Sequence, residues 1–431
     1  MKATFKPLIA LFLSCFILFL GNGLINVLLP VRMGLNAVST DAIGLVLSLY
    51  FVGMFIGALY SKTLIKRAGH IRMFAGCVSL GAISILMCSI FDDSLVWGAM
   101  RIVLGFCNAC AFSAMESWLS DSSTKQTRGQ ILGAYNAVVL AGLFGGQFFM
   151  NIANPADTTL FVIGGMLLCA AVIPVSLSRN PGPVIEEVQP MSLLALYKVS
   201  PLGVVSCLIA GLIYSALFNL LPVFAKDFGI TGLQLSIYMG GAISGAFLLQ
   251  FPIGYFSDHF DRRIILLILL VVSTVTAYFV TVFAASHSFA VTLGFTALTS
   301  GIIACLYPLS ISQVFDQLEP NEMVSAMGSL ILAFATGGIL GPYSASLVMD
   351  YFDSAALFYF LCVIQLLLAL FVAYRMTIRE ALPVEDQESF VMQHAVINPS
   401  ANLDPRAQYE ADDDSEDYGE SVTQEPVTQQ H

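Results

Sequence analysis

Gly254-Tyr255-Phe256-Ser257-Asp258-His259-Phe260-Asp261-Arg262-Arg263 places five ionisable side chains in ten residues, in a chain where 11% of residues are charged. Long apolar runs flank it, 233–256 and 264–286. A solvated hairpin loop needs some polar side chains but no particular order. Here the order is specific: a Gly, three residues, an Asp, two residues, a turn residue and paired Arg. The flanking runs decide what the hairpin joins, since each exceeds the ~20 apolar residues that carry a helix across a bilayer.

Working outward, the same pattern fills the chain. Of 431 residues, 57% are hydrophobic, against the ~45–50% usual in soluble domains, which excludes a soluble protein. A β-barrel is excluded too, because its strands read as short alternating segments and not as continuous runs. The first run, Leu8 to Leu29, follows Lys2 and Lys6 but lacks a small-x-small cleavage site, so it is expected to be retained. Further runs lie at 42–61, 73–91, 95–119, 129–152, 158–178, 203–224, 233–256, 264–286, 289–313, 324–349 and 355–376. Turn chemistry separates them, as at Asp92-Asp93-Ser94, Asn154-Pro155-Ala156-Asp157 and Glu319-Pro320-Asn321. The expected fold is an all-α membrane protein of twelve transmembrane helices.

Charge then sets the orientation. With the amino terminus inside, fifteen Lys and Arg fall on the cytoplasmic side and two, Arg32 and Lys226, on the other, while Arg101 lies inside a span. That bias predicts two cytoplasmic termini. Residues 378–431 hold thirteen acidic and two basic residues, which accounts for the whole net charge of −11. The rest of the chain is neutral, so the acidic balance says nothing about a substrate. The expected organisation is a six-helix bundle at 1–178, a linker with an interfacial helix at 179–202, a second bundle at 203–377, and an acidic, disordered tail at 378–431.

The halves repeat one another. Leu28-Leu29-Pro30-Val31 recurs as Leu220-Leu221-Pro222-Val223, with Asn26 and Asn219 upstream. Shifted by 195 positions, Gly133, Gly142 and Gly146 fall on Gly328, Gly337 and Gly341. Two parallel repeats follow. On these residues the chain resembles the major facilitator superfamily (MFS), whose loop motif Gly-x-x-x-Asp-x-x-Gly-Arg-Arg matches Gly254, Asp258, Arg262 and Arg263, with Asp261 where the second Gly usually sits. The first-half copy runs through Gly57, Arg67, Gly69 and Arg72, with Ser61 in place of the Asp. In the family this loop is thought to latch the two halves on the cytoplasmic side, so the resemblance places the latch acid at Asp258. Glu116-Ser117-Trp118, Arg128-Gly129 and Ala134-Tyr135 are similar to a bacterial branch of the family, which implies an inner-membrane secondary transporter whose two bundles, pseudo-symmetric and together spanning residues 8–377, rock about a midplane cavity.

The fourth span carries Arg101 followed by Gly105, an MFS-like pattern with Leu104 where a Gln is common. Charge at the bilayer centre costs at least ~2.5 kcal/mol, so it is seldom kept without a use. At 100° per residue, Asn108 and Phe112 lie about 20° from Arg101 around the helix and Glu116 about 60°. One face thus bears a cation, an amide, an aromatic ring and an acid. Arg101 either faces the pathway or snorkels outward, and Glu116 either carries protons or caps the inner end. The two are ~22 Å apart along the helix and cannot pair directly. Asn22 and Asn26 share a face of the first span, where they bond neighbouring helices or face a cavity. Asn219 and Tyr307, with Tyr214, Tyr238, Gln250 and Tyr343, are second-half candidates of the same kind.

Gly337-Gly338-Ile339-Leu340-Gly341-Pro342 resembles the family's antiporter motif, displaced from the fifth span to the eleventh. Its small-x-x-x-small spacing also reads as close helix contact, and it leans toward export. All nine Cys lie in apolar runs, and Cys107-Asn108-Ala109-Cys110 has no second pair, so neither zinc nor redox chemistry is expected. There is no phosphate-binding Gly-Lys-Ser/Thr loop. The functional expectation is therefore a proton-coupled transporter of a small organic solute, without cofactor, metal or nucleic-acid partner, monomeric and not an enzyme. A membrane receptor or scaffold that kept the fold without transport is the alternative.

Overall fold

Hydropathy and turn chemistry lead directly to the helices. In the computed structural model, which describes residues 8–124, 127–177, 191–286, 288–378, 382–393, 404 and 406, twelve helices are long and apolar enough to cross a membrane. They are α1 (Ile9–Leu35), α2 (Thr40–Ala68), α3 (His70–Ile90), α4 (Ser94–Asp121), α5 (Arg128–Asn151), α6 (Thr159–Ser176), α7 (Pro201–Asp227), α8 (Leu233–His259), α9 (Arg262–Ala285), α10 (Phe289–Phe315), α11 (Pro320–Tyr351) and α12 (Ala356–Ile378). Local chemistry sets their ends. Asp93 accepts the Leu95 and Val96 N–H groups at the start of α4, supplying partners the helix cannot. Glu319 and Glu322 form a capping box before α11, with Pro320 at its first position. Gly69, at φ +79°, allows α2 to turn directly into α3.

Helix pairing shows the repeat. In the first half α1 packs on α5 and α6, α2 on α4, and α3 on α4 and α6. In the second half α7 packs on α11 and α12, α8 on α10, and α9 on α10 and α12. Each pair recurs six helices later. The glycines make the approach possible. A Cβ at Gly57 would lie 2.7 Å from the Phe106 carbonyl of α4, and Gly53 sits closer still against Ile102. Gly142 and Gly146 of α5 meet α1 as Gly337 and Gly341 of α11 meet α7. The antiporter-like motif is thus a helix contact, as its spacing suggests.

The outer helices α3, α6, α9 and α12 expose large apolar side chains, among them Ile83, Met166, Ile268, Val275, Val363 and Leu370. Such a belt belongs in lipid, where each helix satisfies its own backbone. Between the bundles, contact runs mainly through α2 with α11, α5 with α8, and α1 with α7. Direct hydrogen bonds cross this seam at one end. The Tyr343 N–H donates to Ser48 Oγ at 3.0 Å, Asn151 Nδ2 to Ser236 Oγ at 2.8 Å, and Lys226 Nζ to the Gly34 carbonyl at 2.8 Å. That end is opposite the face bearing the Lys- and Arg-rich connections, here called the basic face.

Two expectations need revision, for the motif stretch and for the tail. The stretch 254–263 is not a ten-residue loop: Gly254–His259 is the last part of α8, and only Phe260 and Asp261 separate it from α9. The linker contains a helix, Leu193–Val199, but residues 178–190 lie outside the described residues. The tail does not leave the protein at Arg379. Residues 388–393, Asp404 and Arg406 lie against the basic face, where Gln393 and Asp404 are fully buried, because backbone and side-chain partners offset the cost of taking polar groups from water. The remainder of the tail lies outside the described residues.

Candidate functional site

The face of α4 anticipated from the helical period is buried along its length. Arg101 is 2% exposed, Asn108 3% and Glu116 1%, so Arg101 does not snorkel to the surface. Its guanidinium carbon stands 4.5 Å over the Tyr50 ring of α2, a cation–π contact strengthened by desolvation. Its Nε and Nη1 are buried without hydrogen-bond partners. A small cavity beside it is lined by Ile25, Ser84, Cys88, Met100 and Phe161. Two turns on, Asn108 Nδ2 donates to Asn22 Oδ1 at 2.7 Å and to Tyr50 Oη at 3.2 Å. Arg101, Tyr50, Asn108 and Asn22 therefore form one polar cluster that ties α1, α2 and α4. Tyr50 was not legible as a participant, since tyrosines are common throughout the chain.

Phe112 separates this cluster from Glu116, with its ring stacked on Phe19 at 4.9 Å. Among the described residues Glu116 is the one buried carboxylate within the spans. Tyr135 Oη of α5 lies 3.5 Å from Glu116 Oε1. Tyr307 is 1% exposed, its hydroxyl has no hydrogen-bond partner, and its ring packs at 4.6 Å from Phe334. Other candidates stay apart. Asn26 is half-buried and outside the Asn22–Asn108 cluster. Asn219 donates to the Ser215 carbonyl of its own helix at 2.9 Å. Tyr238 bonds Thr296 at 2.7 Å, a helix-to-helix contact.

The gate motif is rearranged relative to its reading. Arg262 points its Nη1 at both carboxylate oxygens of Asp316, 2.6 and 2.7 Å away, and its Nε at Ser257 Oγ, 3.0 Å. Both side chains of the ion pair are nearly inaccessible, at 2% and 3%. Asp258, the acid matched by the motif, is 36% exposed and 3.9 Å from Arg262. Burial raises the Asp316 carboxyl above its ordinary value, and the Arg262 guanidinium only partly offsets it. Asp261 caps α9 through the Arg263 N–H and holds the Arg263 side chain at 2.9 Å. In the first half, Ser61 is buried and turned to the Ala58 carbonyl, while Arg67, Gly69 and Arg72 are exposed. The residue missed is Asp316. One signal pointed to it, because it stands 195 positions after Asp121, at the end of the equivalent helix.

A family model described as Major Facilitator Superfamily matches residues 11–249 and 203–401. A protein designated uncharacterized MFS-type transporter YcaD from Salmonella arizonae is 28% identical over 361 residues, covering 81% of this chain and 91% of its own. Its counterpart from Escherichia coli O139:H28 is 28% identical over 364 residues, covering 82% and 91%. Among solved structures, a mutant of the nucleoside transporter NupG superposes with a TM-score of 0.75 at 15% identity, over 86% of this chain and 99% of that one. A bacterial homolog to human lysosomal transporter Spinster, in an inward-facing and occupied conformation, gives 0.70 at 14% identity, over 89% and 98%. These two likenesses concern the fold. With the family model matching both halves and the helices paired as two repeats, the chain belongs to the Major Facilitator Superfamily and is a membrane transporter, not an enzyme.

Proposed function

We propose that the protein moves a small organic solute by alternating access, coupled to protons through Glu116. The observation that carries this reading is the buried face of α4. It brings a cation, an amide bonded to Asn22 of α1 and the one buried carboxylate of the described spans into a bundle interior, with Tyr135 Oη 3.5 Å from Glu116. Buried charge without a use is selected against by its cost. Arg101 and the Asn22–Asn108 pair serve as the solute-binding side, and Glu116 as the group that changes charge during the cycle. The basic face is the cytoplasmic one, both termini lie there, and the membrane is the bacterial inner membrane. The transporter works as a monomer. Export is the direction favoured by the Gly337–Pro342 resemblance.

The test begins with a ligand-stability screen on purified protein, followed by uptake into liposomes with any stabilising solute. Glu116→Gln removes the titrating group and keeps the shape. It should retain counterflow exchange and lose its response to a pH gradient. Wild-type proton-driven uptake by that variant would remove Glu116 from the mechanism.

A further inference from the structure

The tail makes a built contact that the transport cycle leaves unexplained. The Glu388 N–H donates to Asp316 Oδ1 at 3.0 Å, and Arg262 Nη2 donates to the Glu388 carbonyl. Two residues on, the Phe390 N–H donates to Asp258 Oδ1 at 2.7 Å. The Phe390 ring enters an apolar pocket formed with Ile253, Cys305 and Leu309. It fits because residue 254 is Gly: a Cβ there would lie 2.6 Å from the ring. Arg406 closes the arrangement. It pairs with Asp404 at 2.6 Å, donates to Ser312 Oγ at 2.9 Å, and covers the Phe315 ring at 4.6 Å. The gate acids and arginine thus hold the tail, in addition to one another.

These contacts alone would make the segment a cover for the second bundle. One more carries it across the seam, because Asn136 Nδ2 of α5, in the first bundle, donates to the Met392 carbonyl at 2.8 Å. This bond ties the first bundle to the tail on the basic face. At the other end α5 and α8 touch directly, through Asn151 and Ser236. The basic-face half of α8 packs instead on α9 and α10, and the tail occupies the side toward α5. In a molecule built of two repeats, closing the basic face requires α5 and α8 to meet there as they already do at the opposite end. We propose that Glu388–Gln393, locked by Asp404 and Arg406, is an autoinhibitory strap. It wedges α5 from α8 and must leave before the basic face closes.

The inference rests on alternating access, so its test measures helix separation and not transport. Spin labels at Gln130→Cys and His259→Cys, both exposed, report the α5–α8 distance at the basic face by pulsed electron resonance. A second pair, Asn154→Cys and Leu233→Cys, reports the opposite end. The background replaces the accessible thiols Cys77, Cys169 and Cys362 with Ser. Two strap variants of the full chain are compared with the parent: Phe390→Asp, and a Gly/Ser replacement of Glu388–Gln393 of equal length. Both should raise the ratio of short to long basic-face distances by about tenfold, the scale on which one modest bias shifts a two-state equilibrium. The opposite pair should lengthen in step. An unchanged basic-face distribution in both variants overturns the strap, whatever the opposite pair does. The liposome assay on Glu116 decides the transport reading separately.

Discussion

Replacing Arg262 separates the two acids that surround it. Arg262 and Asp316 are 2% and 3% exposed, with one guanidinium nitrogen on both carboxylate oxygens, so solvent screening does little to reduce their interaction. Removing one partner of such a pair leaves a buried, uncompensated charge and costs about 3–5 kcal/mol. Arg262→Met and Asp316→Leu should each lose that much. Asp258 is 36% exposed and 3.9 Å away, which places Asp258→Asn under about 1 kcal/mol. The double variant Arg262→Met/Asp316→Leu removes both charges. Because burial outweighs attraction at Asp316, the loss of the pair itself should be near neutral, and the three forfeited bonds, to Ser257 Oγ, to the Glu388 carbonyl and from the Glu388 N–H, should cost about 1 kcal/mol each. The double variant should therefore fall by about 3 kcal/mol, well short of the sum of its singles. Unfolding in mixed micelles of increasing SDS fraction, followed by circular dichroism, gives the four free energies of the cycle. Strict additivity, or a cost for Asp258→Asn equal to that for Asp316→Leu, would refute the reasoning.

Three further outcomes are expected. Arg101→Met removes a charge that costs at least ~2.5 kcal/mol to insert and a cation–π contact worth up to about 2 kcal/mol. It should therefore express and melt like the parent while liposome uptake fails; normal uptake would place Arg101 outside the pathway. Gly53→Leu drives a side chain into the Ile102 carbonyl of α4 and should lose at least the 1–3 kcal/mol of ordinary overpacking. Gly129→Leu, with nothing within 4 Å of its Cβ, should be tolerated, and comparable yields and melting temperatures for the two would contradict the α2–α4 contact. Reporter fusions after Arg72, Arg128, Lys198, Arg263 and Arg379 should all report the cytoplasm, and one reproducible periplasmic signal would break the topology.

The twelve spans, their pairing into repeats and the alignment of Arg101, Asn108 and Glu116 on one helix face were legible in the sequence because each depends on local or periodic quantities, whereas the burial of that face was not. A run of ~20 apolar residues crosses a bilayer whatever its neighbours are, and the 100° helical step places Asn108 beside Arg101 before any packing is known. The small-x-x-x-small glycines announce close helix contact for the same reason. What the sequence could not reveal are choices between partners distant in the chain. Arg262 has Asp258 four residues away and Asp316 fifty-four away, and the deciding factor is which carboxylate the helix ends bury beside it. Tyr50 joins the polar cluster only because α2 lies against α4 through glycines. The tail reads as solvated, since its composition is acidic and poor in apolar residues. Only the assembled basic face, with a vacancy at Gly254 and with Asp258, Asp316 and Asn136 converging on one backbone, supplies the partners that hold residues 388–393 in place.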